Sequence, residues 1–187
     1  MNFTPNEDLW VNTEAQGNVY FWKVVACDPT ECGSWSDTWN FSIEPYISLT
    51  MINDSIDFGS KNTGDKDNTT DNSPGPFVVQ NDGNVIANIT WVSANQSMWS
   101  TQPSNTEYFR FKIDNTTNEE SSFNYTESTT NWTNMTDISV SNQTAVAYLH
   151  YNDTKDTAEI DLLIEVPADE PPGMKLVTVY VIGQDAS

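Results

Sequence analysis

Positive charge is the first thing this sequence lacks. Its 187 residues hold seven Lys and Arg against 27 Asp and Glu, a formal net charge of −20. That balance argues against nucleic acid as a partner, because phosphate contacts need Lys and Arg. It favours solubility, repels acidic membranes and like molecules, and is compatible with divalent cations. No run approaches the roughly 18 apolar residues needed to span a bilayer, so no membrane insertion is expected. The opening "MNFTPNEDLW" lacks both the basic start and the apolar stretch of a secretory signal. An exported chain would therefore be numbered from after its signal or from inside a longer polypeptide.

Histidine is scarce too. His150, in YLHYND, is the one His of the sequence and reads as a surface or rim residue. No GxSxG, P-loop or HExxH pattern occurs. The carboxylates are scattered through turns, so no acid/base dyad stands out. The expectation is a protein that is not an enzyme. Helical periodicity of useful length is missing as well.

Aromatics are not scarce. Seven Trp, seven Tyr and eight Phe, with 37% hydrophobic residues, exclude a disordered acidic tail. Asparagine is the most informative residue. The pattern N-x-S/T occurs at Asn2, Asn40, Asn53, Asn68, Asn88, Asn95, Asn115, Asn124, Asn131, Asn134, Asn142 and Asn152, twelve of 21 Asn. Random placement of the Ser and Thr present would give roughly four such sequons. The bland reading is that Asn, Ser and Thr fill turns and polar strand faces. The threefold excess favours N-linked glycans on an extracellular or cell-surface protein. The two cysteines fit that compartment. Cys27 and Cys32 enclose DPTE at the tip of a predicted hairpin, and a disulfide is favoured over free thiols or a metal site.

Alternation along the chain predicts strands throughout. In VYFWKVVA, Tyr20, Trp22, Val24 and Ala26 share one face; in WSDTWNFSI, Trp35, Asp37, Trp39, Phe41 and Ile43 do. A Pro- and Gly-bearing turn lies between them, so the pair reads as a β-hairpin. Glu44-Pro45 then breaks the pattern and predicts a boundary between residues 1–45 and 46–187. Further strands are expected at ISLTMI, FVVQ, VIANITWVSA, YFRFKI, AVAYLHY, AEIDLLIEV and MKLVTVYVI, with Asn81-Asp82-Gly83-Asn84 as a hairpin turn between FVVQ and VIANITWVSA. Met174 to Ile182 is apolar on both faces and suits a central strand or one docked into a neighbouring subunit. Residues 46–187 read as an antiparallel all-β sandwich large enough to stand alone.

Residues 1–45 are not. A two-stranded hairpin is marginal in water, and Tyr20, Trp22, Trp35, Trp39 and Phe41 would forfeit several kcal/mol if left wet, at roughly 1.5–3 kcal/mol per large apolar side chain. Earlier strands from a longer chain, the second domain, or another copy of the chain would have to cover them. Strand complementation between copies is slightly favoured.

The segment YFWKVVACDPTECGSWSDTWNFSI resembles the last two strands of a fibronectin type III domain, through Tyr20, Trp22, Val24, Ala26, Trp35, Ser36, Trp39 and Phe41. The earlier strands of such a domain are absent. "SIDFGS", "PFVVQNDGNVIANITW" and "IDLLIEVPADEPPGMKLVTVYVIG" resemble the immunoglobulin-like modules of archaeal cell-surface glycoproteins. That resemblance implies envelope, adhesion or filament roles rather than catalysis.

One segment has metal-ligand character. GDKDNTTDN places Asp65, Asp67, Thr69 and Asp71 at alternate positions, like half of a calcium site, but without the Gly and Glu of an EF-hand. The competing reading is a solvated acidic loop carrying Asn68. Three roles follow as expectations: a glycosylated structural subunit of a surface filament, sheath or stalk that contacts other copies of itself; an adhesin or carbohydrate-binding module, with Trp91, Trp99 and Trp132 stacking on sugars; or the non-catalytic appendage of a secreted hydrolase.

Overall fold

A computed structural model describes residues 19–137 and 144–186. The described residues form twelve strands and no helix, so the protein is all-β. The chain divides into two compact units, Met1–Pro45 and Tyr46–Ser187.

In the first unit, β1 (Val19–Trp22) and β2 (Trp39–Ser42) pair antiparallel, with Tyr20 opposite Phe41 and Trp22 opposite Trp39. Both strands are shorter than the alternation predicts, because the register slips. Beyond Trp22–Trp39 the Ser36 N–H donates to Val24 O at 2.8 Å, one residue out of step with the strand pairing. The Val24 N–H is met by Ser36 Oγ at 2.9 Å. A one-residue slip exchanges faces. Trp35 therefore leaves the face of Trp39, a correction to the sequence reading, and its ring lies 4.4 Å from Lys23 Nζ instead.

The second unit contains two sheets. The larger has the order β3 (Leu49–Asn53), β5 (Phe77–Asn81), β11 (Thr157–Glu165), β7 (Phe109–Asp114), β8 (Thr133–Asn134), with β4 (Lys66–Asn68) beside β11. The smaller has the order β10 (Val146–Leu149), β6 (Ala87–Ala94), β12 (Val179–Asp185), with β9 (Thr136–Asp137) parallel to β6. Their inner faces share one core. Val79, Phe111, Ile113 and Ile160 come from the first sheet, and Ile89, Val92, Val146 and Leu149 from the second. This is a β-sandwich. In β7, period-2 alternation buries Phe109, Phe111 and Ile113 and turns Arg110, Lys112 and Asp114 outward. β11 is buried along nearly its whole length, as suits a strand flanked on both sides.

Three expectations are overturned. Asn81-Asp82-Gly83-Asn84 is not a hairpin turn, because β5 and β6 belong to different sheets. It is a corner that carries the chain from one layer to the other. Asn84 Oδ1 accepts the Tyr46 N–H at 2.7 Å, and the Asn84 N–H donates to Tyr46 O. A Cβ on Gly83 would lie 2.4 Å from Tyr46 O, so this close crossing of two backbones needs glycine. Second, the last strand starts at Val179, not Met174, and lies at the edge of its sheet. Residues 174–178 follow the proline-rich turn and are held to Asn95 and Gln96 by isolated hydrogen bonds. Third, Lys66–Asn68 is a short strand rather than loop, since β11 offers it a ladder opposite Leu163–Glu165. The polar segment 115–145 offers room for short strands near Phe123 and Ile138; none forms at Phe123 among the described residues, and Ile138 lies outside them.

Candidate functional site

The Cys27–Cys32 disulfide is formed. It closes a tight tip whose backbone is organised by Asp28: Oδ1 accepts Thr30 Oγ1 at 2.7 Å and the Thr30 and Glu31 N–H groups at 2.8 and 2.9 Å. The Thr30 hydroxyl first, and then the two N–H groups, hold the Asp28 carboxyl below its ordinary value. Below the tip, Tyr20 stacks on Phe41 with ring centroids 5.1 Å apart, and Trp22 meets Trp39 at 4.8 Å. This ladder remains open to solvent: Trp22 is 47% exposed, Trp39 46% and Phe41 42%. Asn40 is opposite Phe21 and alternates away from the ladder, so a glycan there would leave the aromatic face clear.

Ten of the sequon asparagines lie within the described residues; Asn2 and Asn142 lie outside them. None of the ten is buried, whereas Asn81, which is not in a sequon, is completely buried. Asn40, Asn95, Asn131 and Asn152 are exposed; Asn53, Asn68, Asn88, Asn115, Asn124 and Asn134 are half-buried. The amides differ in what they do. Asn68 Oδ1 accepts both the N–H and the hydroxyl of Thr70, and Asn152 Oδ1 does the same with Thr154. Asn124 Oδ1 accepts the Thr126 N–H at 3.2 Å. These are Asx turns built within the sequon itself, which engage the carbonyl side of the amide. Asn53 Nδ2, by contrast, donates to Pro76 O, and Asn134 Nδ2 donates to Asn105 O at 3.2 Å. Asn88 Oδ1 accepts the Tyr148 N–H at 2.8 Å, across the irregular pairing of β6 with β10.

The acidic segment 65–71 does not gather its carboxylates. Asp67 pairs with Lys61 at 2.7 Å, which holds its carboxyl below the ordinary value. Asp65 Oδ2 accepts the Asn62 N–H at 2.7 Å, and Asp71 Oδ1 accepts the Ser73 N–H at 3.0 Å. Thr69 is buried and donates to Asp161 at 2.6 Å. Among the described residues no group of three or more His, Cys, Asp or Glu is placed to hold a metal ion.

Two buried acidic groups behave oppositely. Glu170 accepts from the N–H and hydroxyl of both Ser100 and Thr101 and pairs with Lys175. Burial alone would raise its carboxyl; the donors of Lys175, Ser100 and Thr101 outweigh that and hold it far below the ordinary range. Asp156 is buried with Glu119, Asp153 and Asp82 around it, and burial first, then those charges, push it up to about 6. Lys112 lies between Asp114 at 2.5 Å and Asp161 at 3.2 Å, with the Trp132 ring 5.6 Å away. Burial works against its charge, but the two carboxylates more than offset this and raise its pKa.

The candidate sugar platforms separate. Trp99 is a core residue whose Nε1–H donates to Tyr108 O at 3.1 Å, while Trp91 and Trp132 are half-buried. His150 is exposed and its N–H donates to Ser122 O.

One site escaped the sequence reading. An open groove of about 470 Å³ runs between the edge strands β3 and β12. Met51, Ile56 and Phe58 line one wall, Val179 and Val181 the other, with Phe109 at the floor. At one end the walls meet: a Cβ on Gly183 would lie 2.5 Å from Leu49 Cδ1. Away from that contact the sandwich stays open, and Leu176 at the lip is 77% exposed. Hydrophobic pattern cannot reveal such a gap, because its walls have the composition of a core.

Among the described residues no helix is long and apolar enough to cross a membrane. Comparison with protein-family models, with curated proteins and with solved structures finds no match for this chain.

Proposed function

We propose that the chain is an extracellular, N-glycosylated structural subunit of a surface filament, sheath or stalk, which assembles through β-strand contacts between copies. One observation carries the reading: the chain combines surface-placed sequons with an aromatic face left in water. The disulfide fits the oxidising compartment in which N-glycans are found. Glycans and the charge of −20 keep the sides of neighbouring molecules apart. The Tyr20–Phe41 and Trp22–Trp39 pairs supply the adhesive surface that such an assembly needs. The role is structural rather than catalytic, and the resemblances to fibronectin type III and archaeal immunoglobulin-like modules point the same way.

Glycopeptide mass spectrometry on native material, combined with light scattering and electron microscopy, tests this. Modified sequons and concentration-dependent particles are expected. A protein with unmodified asparagines that stays monomeric at all concentrations would refute it.

A further inference from the structure

The outer face of the smaller sheet carries apolar side chains that do not enter the core. In β12, Val179 and Val181 pack on the core, so Tyr180, Ile182 and Gln184 alternate to the outside. In β6, Ile89, Val92 and Ala94 belong to the core, which turns Asn88, Trp91 and Ser93 outward around an irregularity at Thr90. The ladder sets these outward residues side by side: Gln184 with Asn88, Ile182 with Trp91, and Tyr180 with Ser93. All of them share one face of one sheet. Tyr180 and Ile182 are each 40% exposed.

Among the described residues, Asn88 is the one sequon asparagine in the strands of this sheet. Its Oδ1 is held on the β10 side by the Tyr148 N–H at 2.8 Å. The amide is planar, with Oδ1 and Nδ2 on either side of Cγ. Anchoring Oδ1 toward β10 therefore turns Nδ2, the atom that takes a sugar, toward β12. No described residue hydrogen-bonds that Nδ2.

We propose that an N-linked glycan at Asn88 lies down on this face, its first sugars covering Ile182 and Tyr180. This rests on the glycosylation reading above and gives one of its sites a task. At about 3.4 Å per strand residue, Ile182 is roughly 7 Å and Tyr180 roughly 14 Å along β12 from the position opposite Asn88. The first few pyranose rings cover that span. A pyranose also fits the chemistry of the strip. One of its faces is a run of C–H groups that packs on Ile182, Trp91 and the Tyr180 ring, while its hydroxyls meet the Gln184 amide and the Tyr180 O–H. A flat protein partner fits less well, because a glycan rooted within the strip holds it off. An apolar patch on a strand at the edge of its sheet invites association. A sugar tethered beside it is always at high local concentration and covers it first.

Hydroxyl-radical footprinting of the glycosylated chain, read by peptide mass spectrometry, tests this. Thr90→Ser keeps the Asn-Ile-Ser/Thr sequon, whereas Thr90→Ala and the shape-conserving Thr90→Val remove it; all three keep Asn88 and its bond to Tyr148. Two sequon-free variants ensure that one folds, and thermal unfolding identifies it. Oxidation of Tyr180 and Ile182 is expected to be about twofold or more lower in Thr90→Ser, since a ring in contact shuts off most of the open surface of a side chain. Tyr46 and Tyr125, exposed elsewhere in the same unit, should be oxidised equally in all variants. If Asn88 is modified and Tyr180 and Ile182 are oxidised equally with and without its sugar, the cover falls while glycosylation stands. The same holds if Asn88 is bare while other sequons carry sugar. Protection that survives in the sequon-free variants and grows with protein concentration assigns the face to a second copy and overturns the glycan cover. A chain with no modified sequon overturns both readings.

Discussion

Asn81 of β5 ties one sheet to the other through Leu149 of β10. Its Nδ2 donates to Leu149 O at 3.1 Å and to Val85 O at 2.9 Å, while its Oδ1 accepts the Gly83 N–H at 3.1 Å. The side chain is fully buried, and so are Val85 and Leu149, whose carbonyls have no water to turn to. Asn81→Ala should destabilise residues 46–187 by about 3 kcal/mol, the cost of buried groups left without partners. Asn81→Asp should do worse, because it places a charge near Asp82 and Asp156. Urea denaturation measures both.

Asp156 makes stability fall as pH rises. Its folded value of about 6 lies above the ordinary 3.8, so the native state holds a proton that the unfolded chain has lost. Below pH ~4 there is no penalty. Between about 4 and 6 the penalty grows to roughly 2–3 kcal/mol, at 1.36 kcal/mol per pH unit. Asp156→Asn should therefore be more stable than wild type at pH 7 by about that amount, with the difference vanishing near pH 3.5. Thermal midpoints of the two proteins across that range check the sign.

Glu170 works in the other direction. Its carboxyl is held below its ordinary value, so its contribution is complete above about pH 4.5 and is lost as the solution is acidified. Glu170→Gln keeps the volume but cannot accept all the donors of Ser100, Thr101 and Lys175. The variant should melt several degrees lower at pH 7 and should lose part of the acid sensitivity of wild type. Melting curves at pH 7 and pH 3 separate it from a simple packing defect.

Reduction of Cys27–Cys32 should act locally. The disulfide closes a short loop, and its loss removes about 2 kcal/mol of constraint from the hairpin alone. Amide exchange at Gly33 and Ser36, whose N–H groups bond Ala26 O and Val24 O, should accelerate on reduction. Exchange in β7 and β11 should not change.

Glycan occupancy should follow amide geometry. Asn40, Asn95, Asn131 and Asn152 are exposed and should be modified in most molecules. Where modification follows folding, Asn53 and Asn134 should be modified least, because their Nδ2 groups are committed to Pro76 O and Asn105 O. Site-resolved glycopeptide analysis gives the ratio directly.

Period-2 alternation made the strands legible, and β7 and β11 lie within a residue of where it puts them. Pairing was less legible. The Asn-Gly pattern at 81–84 carries turn chemistry but no information on whether the chain returns to the same sheet, and here Tyr46 and Leu149 decide that it crosses. Trp35 shows the same limit, since one slipped residue reversed its face. Met174 and Leu176 look like strand residues by composition, yet both are exposed, because the ladder with β6 begins only at Val179. The sequon density favoured a disulfide between Cys27 and Cys32 by implying an oxidising compartment, and the bond is formed. The groove was invisible, because a gap is a property of two walls brought together from opposite ends of the domain.

The position of β6 has a consequence for how this protein is made. Its long-range partners in β10 and β12 are encoded from 57 (Ile89 to Val146) to 98 (Ala87 to Asp185) residues later. As the polypeptide leaves the ribosome, β6 must wait for both before its sheet exists, and contacts of such separation form slowly. During that interval Asn88, later half-hidden between two neighbours, would be open to the glycosyltransferase of the proposed modification. Slow translation of the last forty residues should therefore favour sugar at Asn88 without altering the exposed positions.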